Sequence, residues 1–263
     1  MTSPKQAVLL SMDGAIARIR FNRPERLNAM DMELVLAFGE AVDAVLADDM
    51  VRVIVVSAEG RAFIAGGDLT YFDQAPDRAA ASHALINPLH RSLKALARSP
   101  KLTVGSLTGA VAGGGMSLAL NLDFLVAADD TVFNLAYARI GTSPDCGGSF
   151  TLPRLVGPRR ALELALLCDN VKADDAYRLG LVNRVVPVAD LETETARLAS
   201  RLAEGASIAQ GKTKLLMQQA FDNSFAEHLD AEEDAFADCA GTEDFGGAVS
   251  AFLQKRRYTF TGR

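Results

Sequence analysis

Two short apolar-rich runs open the pattern of the chain. Residues 7–12 and 16–21 read as strands joined through Asp13-Gly14, a dipeptide suited to a tight hairpin turn. Asn22-Arg23-Pro24-Glu25-Arg26 breaks the pattern, and Asp31 then suits the cap of a helix over 32–46. There Leu34, Val35, Phe38, Val42 and Val45 recur at helical spacing. Residues 51–57 are almost continuously apolar, interrupted by Arg52, which is the pattern of a strand buried on both faces. A loop with Gly60, Gly66 and Gly67 is expected over 59–68. A second helix is expected over 79–97, interrupted at Asn87-Pro88, and further strands at 102–107 and 124–128. Strands alternating with helices predict βαβ units. From residue 159 helical patterns dominate, over 159–168, 173–179, 191–203, 212–220, 225–239 and 244–255, with one strand-like run at 182–186. The expected division is an α/β core, 1–200, and a helical C-terminal part, 201–263, without an obvious linker.

Composition narrows the class. A chain of 263 residues, 49% hydrophobic and 23% charged, can bury a substantial core. Its net charge of −6 argues against a non-specific nucleic-acid surface. Cys146, Cys168 and Cys239 are widely spaced and odd in number, so neither a disulfide framework nor a zinc site is indicated, and no metal is expected. The N-terminal stretch lacks the pattern of a signal peptide, and no apolar run reaches the roughly 18 residues of a membrane span. The expectation is a cytoplasmic globular protein.

The candidate chemistry lies between Thr108 and Leu155. Gly113-Gly114-Gly115 leads into a helical-looking segment over 116–120. Consecutive glycines let another molecule approach the main chain, and a helix starting after them points N–H groups and a positive dipole end at it. That suits an oxyanion or a phosphate. Farther on, Ser143-Pro144-Asp145-Cys146-Gly147-Gly148 holds one carboxylate in a tight turn. An anion-stabilising loop with a lone carboxylate points to proton transfer beside a carbonyl. Simple turn-making remains the plain alternative for the glycines and for Asp145.

Several stretches together resemble the crotonase (enoyl-CoA hydratase/isomerase) superfamily. They are Arg23-Pro24-Glu25-Arg26-Leu27-Asn28-Ala29, Ala62-Phe63-Ile64-Ala65-Gly66-Gly67-Asp68-Leu69, Gly109-Ala110-Val111-Ala112-Gly113-Gly114-Gly115, Ala176-Tyr177-Arg178-Leu179-Gly180-Leu181-Val182 and the tail from Val249 to Arg256. The resemblance implies a spiral of βαβ units with a helical C-terminal trimerisation region, assembled as a homotrimer or hexamer. It implies an acyl-CoA thioester as substrate, so that coenzyme A is part of the substrate and no separate cofactor is needed. The enolate oxygen would be held by the N–H groups of Gly67 and Gly114. Arg26 and Ala29 would lie along the CoA, with Ala65, Asp68 and Leu69 around its adenine end.

Departures from the family pattern sharpen the reading. Hydratases of the superfamily carry one glutamate two residues after the triple glycine and another about twenty residues later; here those positions are Ser117 and Tyr137. Asp145 stands where isomerase members carry their catalytic aspartate. The stretch from Ser143 to Gly157 resembles the ring-1,2-epoxyphenylacetyl-CoA isomerases. His90 departs from the apolar residue expected in that subgroup. It either lines the acyl pocket or is a half-exposed helix histidine. Tyr137 is expected as a pocket-wall aromatic whose hydroxyl can bond substrate, and Ser117 as a small packing residue. The expected function is an acyl-CoA isomerase acting on a 3-enoyl-CoA or 2-(1,2-epoxyphenyl)acetyl-CoA type of substrate, with Asp145 as its base. Three alternatives stay open: a hydratase with a non-standard site, a dehalogenase-like hydrolase with Asp145 as nucleophile, and a CoA-binding or RNA-binding member without turnover, the RNA version disfavoured by the acidic balance of the chain. The dehalogenase relatives use a tryptophan beside the aspartate, and this chain has none. Lys255-Arg256-Arg257 suits either CoA phosphates or a solvated helix end.

Overall fold

The computed structural model of the chain describes residues 6–263; the first five, part of the stretch read above as lacking a targeting pattern, lie outside the described residues. β1 (Val8–Asp13) and β2 (Ile16–Phe21) pair antiparallel across the Asp13-Gly14 turn. α1 (Met32–Ala47) is capped by Asp31, whose carboxylate accepts from the Leu34 N–H at 3.1 Å, a contact worth about 1 kcal/mol. β3 (Val53–Ala58) and β4 (Ala62–Ile64) follow, then α2 (Leu69–Asp73) and α3 (Arg78–Arg98). β5 (Leu102–Leu107) and β6 (Ala110–Ala112) lead into α4 (Gly114–Leu120). β7 (Phe124–Ala128) and β8 (Val132–Asn134) lead into a 3-10 turn at Tyr137–Ile140. After α5 (Gly148–Val156) and α6 (Pro158–Leu167) come β9 (Val171–Lys172), α7 (Ala173–Arg178) and β10 (Arg184–Val186). The remainder is helical: α8 (Leu191–Ala203), α9 (Ser207–Gln219), α10 (Phe225–Ala240) and α11 (Glu243–Leu253).

These strands form two sheets. One has the order β1-β2-β3-β5-β7-β10 and is parallel except at its first pair; the other has the order β4-β6-β8-β9 and is parallel except at its last. Three times the chain leaves a strand of the first sheet and enters a short strand of the second, at β3–β4, β5–β6 and β7–β8. This α/β winding is the expected spiral. Ile54, Val56, Phe63, Leu107, Val111 and Phe133 are fully buried within it, each contributing about 1.5–3 kcal/mol by burial.

Several boundaries differ from the sequence expectation. The 59–68 loop contains β4, because Ala62 and Ile64 find partners in β6. The helix expected over 79–97 runs unbroken through Pro88. The helix expected to follow the triple glycine begins inside it, at Gly114. The 212–220 helix starts at Ser207, and the 244–255 helix ends at Leu253, where Lys255 takes a left-handed φ of 55°. Among the described residues no helix is long and apolar enough to cross a membrane.

Candidate active site

Three of the four short strands of the second sheet, β4, β6 and β8, lead to pieces of one site. Beyond β4, the 65–68 segment runs alongside residues 27–30. Ala65 N–H donates to Leu27 O at 3.1 Å, Met30 N–H to Gly66 O at 2.8 Å, and Asp68 N–H to Met30 O at 2.8 Å. The pairing is anchored by Asn28, fully buried with a positive φ of 54°. Its carboxamide accepts from Arg23 N–H at 2.8 Å and donates to Glu59 O and Ala62 O at 3.0 and 2.9 Å. Asparagine tolerates the left-handed region, so it serves backbone shape and cross-linking together. The ladder gathers Arg26, Ala29, Ala65, Gly67, Asp68 and Leu69 at one edge. The half-exposed Arg26 guanidinium lies 3.5 Å from Asp68 and 3.7 Å from Asp31, while Asp68 caps α2 through the Thr70 N–H.

Beyond β6, Gly113 turns the chain into α4 with a φ of 51°, closed to most side chains. A Cβ on Gly113 would stand 3.5 Å from Gly66 Cα, so the two glycine loops abut. Gly115 carries the helix against β4, where its Cβ would meet Ile64 O at 2.5 Å. At the helix start, a Cβ on Gly114 would lie 3.3 Å from Met30 Sδ and 3.8 Å from Asp145 Oδ1. Neither the Gly67 nor the Gly114 N–H donates to an acceptor among the described residues. Both sit at helix starts, where unpaired N–H groups favour negative charge.

The third piece follows β8. Asn134 accepts from Ala136 N–H at 2.7 Å and donates to Cys168 O and Asn170 Oδ1, both at 2.7 Å. That anchors the turn presenting Tyr137. The Tyr137 hydroxyl is buried; it donates to Asp145 Oδ1 and pairs with Ser117 Oγ at 2.9 Å. Because the phenol proton goes to the carboxylate, Ser117 must supply the hydrogen of the second bond. The two positions that would hold carboxylates in a hydratase thus hold a hydroxyl pair wired to a third position's carboxylate. Burial, then the Asp145 charge, pushes the Tyr137 phenol far above its ordinary range, so it remains a donor. The same two causes push up the buried Cys146 thiol. The Asp145 carboxylate is thus held by the Tyr137 hydroxyl at Oδ1 and lies against the neighbouring Cys146 thiol.

The Asp145 turn is braced from three sides. Asp145 O accepts from Gly148 N–H at 3.0 Å, and Cys146 O accepts from Asn121 Nδ2 at 2.8 Å. Cys146 N–H donates to His90 Nε2 at 3.1 Å. His90 is the half-exposed residue of α3 that the sequence suggested, and its ring is engaged with this turn. Sequence reasoning had no role for Asn28, Asn121 or Asn134; an asparagine beside a glycine or a turn was the available signal. Pro144 and Gly148, on either side of Asp145, also line an apolar cavity of about 300 Å³ with Leu135, Leu152 and Ala165. Among the described residues no cluster of three or more His, Cys, Asp or Glu could hold a metal ion.

The site therefore combines two glycine loops whose Gly67 and Gly114 N–H groups are unpaired among the described residues with a braced carboxylate beside Gly114, on a spiral of two mostly parallel sheets. Residues 11–263 match the enoyl-CoA hydratase/isomerase family, and the chain belongs to that family. It is 34% identical to a 1,2-epoxyphenylacetyl-CoA isomerase of Escherichia coli, over 97% of this chain and 98% of that one. It is also 34% identical to a 4-chlorobenzoyl coenzyme A dehalogenase of Arthrobacter, over 91% and 88%. An enoyl-CoA hydratase subunit from Geobacillus kaustophilus superposes with a TM-score of 0.91 at 33% identity, covering 98% of both chains.

Proposed function

We propose that the chain is an acyl-CoA isomerase in which Asp145 moves a proton beside a thioester carbonyl. The observation that carries this reading is the carboxylate beside Gly114, with hydroxyls and no carboxylate at Ser117 and Tyr137. The thioester oxygen lies between the Gly67 and Gly114 N–H groups, each worth on the order of 3 kcal/mol of barrier. With a 3-enoyl-CoA, Asp145 Oδ2 takes the α proton, and the C–H electron pair delocalises onto the thioester oxygen as a dienolate. The protonated acid returns that proton at the γ carbon, leaving the 2-enoyl thioester. A positioned base adds roughly 10²–10⁴-fold in rate. A 2-(1,2-epoxyphenyl)acetyl-CoA offers the same acidic α position. Arg26 and Ala29 lie along the CoA, with Ala65, Asp68 and Leu69 toward its adenine. The Arg26 ion pairs are exposed and individually worth under about 1 kcal/mol, so the guanidinium turns to a phosphate at small cost. Coenzyme A is part of the substrate, and the active assembly is a homotrimer or hexamer.

The test follows a short 3-enoyl-CoA in D2O with the wild-type chain and Asp145→Asn. Conversion with deuterium at the α and γ carbons, lost in the variant, supports the one-base reaction. CoA binding without conversion or exchange, for this thioester and for the epoxyphenylacetyl thioester, rejects it.

A second reading is favoured by one contact. Tyr137 gives Asp145 a hydrogen-bond donor although the chain has no tryptophan, and the relatives include 4-chlorobenzoyl coenzyme A dehalogenases. There Asp145 would attack the ring carbon, expel chloride and form an aryl ester that water then cleaves. Chloride release from 4-chlorobenzoyl-CoA separates the two readings.

A further inference from the structure

We propose that His90 is a positioning residue that fixes the Asp145 carboxylate through the backbone of the next residue; this rests on reading Asp145 as the base. The peptide plane between Asp145 and Cys146 is pinned at both ends. Its carbonyl accepts from Gly148 N–H at 3.0 Å, and its N–H donates to His90 Nε2 at 3.1 Å. Because a peptide unit is rigid, those two bonds set the torsion from which the Asp145 side chain departs. Cys146 needs such support. It holds a φ of 50° without being glycine and is 1% exposed, so water does not satisfy its N–H. The carbonyl-side bond belongs to the turn itself, whereas His90 comes from α3, 56 residues earlier in the chain. It thereby ties the base to the scaffold. Acceptance through Nε2 requires that nitrogen to carry no hydrogen, so the working form is neutral imidazole protonated at Nδ1. His90 is accordingly not free at Nε2 to act as a base.

The experiment uses the full-length chain labelled with 15N-histidine. His83, His90 and His228 are the three histidines, and His90→Gln assigns its signal by difference. An unprotonated Nε2 on His90, coupled to a downfield Cys146 amide proton that shifts in His90→Ala, is expected. In parallel, kcat and KM for a short 3-enoyl-CoA are compared among wild type, His90→Ala and His90→Gln. His90→Ala lowers kcat about 10–100-fold with KM nearly unchanged, as a displaced catalytic group does. His90→Gln restores most of the loss, since its amide oxygen is also an acceptor. A proton on Nε2, unchanged kcat in His90→Ala, or equal damage in both variants would overturn the inference. If the wild type neither converts nor exchanges the thioester, the base assignment of Asp145 fails. The nitrogen spectrum still decides whether His90 holds the turn.

Discussion

Tyr137 and Ser117 divide one task between them. Each replaces a carboxylate that a hydratase would use on water, and together they hand a single hydrogen bond to Asp145 Oδ1. With Oδ1 held, the carboxylate as a whole is confined to a narrow range of directions. Tyr137→Phe should lower kcat about tenfold with thioester affinity retained, because one charge-assisted hydrogen bond of about 1.5–3 kcal/mol is lost. Ser117→Ala acts only through Tyr137 and should cost less. Single-turnover rates and calorimetric binding check both, and a larger loss in affinity than in rate would contradict this division. Cys146 carries a prediction about stability. Its folded thiol is held far above the ordinary range by burial and then by Asp145, whereas in the unfolded chain it ionises near pH 8.5. Below that pH both states keep the proton and the contribution is complete. Above it only the unfolded state releases the proton, so stability falls by up to about 1.4 kcal/mol per pH unit. Denaturation midpoints between pH 7 and 10 should decline less steeply in Cys146→Ala than in wild type.

Helix α4 shows how an element can depend on residues that ordinarily oppose it. Its first two positions are glycines, and in isolation a helix of seven residues beginning so would not be stable. Packing decides instead, since only a residue without Cβ brings α4 within reach of Ile64 and keeps the Gly66–Gly67 and Gly113–Gly114 loops abutted. Gly115→Ala would place a carbon 2.5 Å from Ile64 O and 2.6 Å from Ile64 Cβ. A loss of about 1–3 kcal/mol in urea unfolding is expected, with thioester binding weakened at temperatures where the fold persists. Unaltered binding would mean the two loops do not act as one site. The same packing marks what was legible in the sequence. β3, β5 and β7 are apolar runs buried on both faces, and α1 carries a cap and a helical stripe, so local pattern sufficed. β4, β6, β8 and β9 span two or three residues each and exist by pairing with one another, which no local period announces. The resemblance of their loops singled out Asp145, Gly67 and Gly114 as candidates, and the structure sets Gly114 beside Asp145. The Tyr137 and His90 bonds to the Asp145 turn were not legible there, because they arise from how β8 and α3 are placed in space.

At the scale of the molecule, the winding explains why one site collects from distant stretches. β4, β6 and β8 are neighbours in one sheet, and each releases its chain at the same edge: into the Gly66–Gly67 loop, into the Gly113–Gly114 loop and toward the Tyr137 turn. Ligand sites at the carboxyl ends of parallel strands follow from this geometry. The opposite character appears on the helical surface. Phe225, Phe252 and Leu253 on α10 and α11 are about four-fifths exposed, and Leu162, Leu166 and Leu167 on α6 add further apolar surface. Isolated exposed leucines are ordinary, but this many large exposed side chains on the C-terminal helices and α6 exceed what a monomer usually shows. Each such side chain, once covered, contributes about 1.5–3 kcal/mol, so a few of them outweigh the cost of association. On the proposed homotrimer or hexamer, which rests on the family resemblance, the chain should sediment as three or six copies of its 28.0 kDa mass. A Phe252→Glu, Leu253→Glu double variant should shift to monomer at micromolar concentration, since charges at those positions resist burial. If the double variant sediments as wild type does, the C-terminal helices are not the interface. If wild type is already a monomer, these apolar faces serve something other than self-assembly.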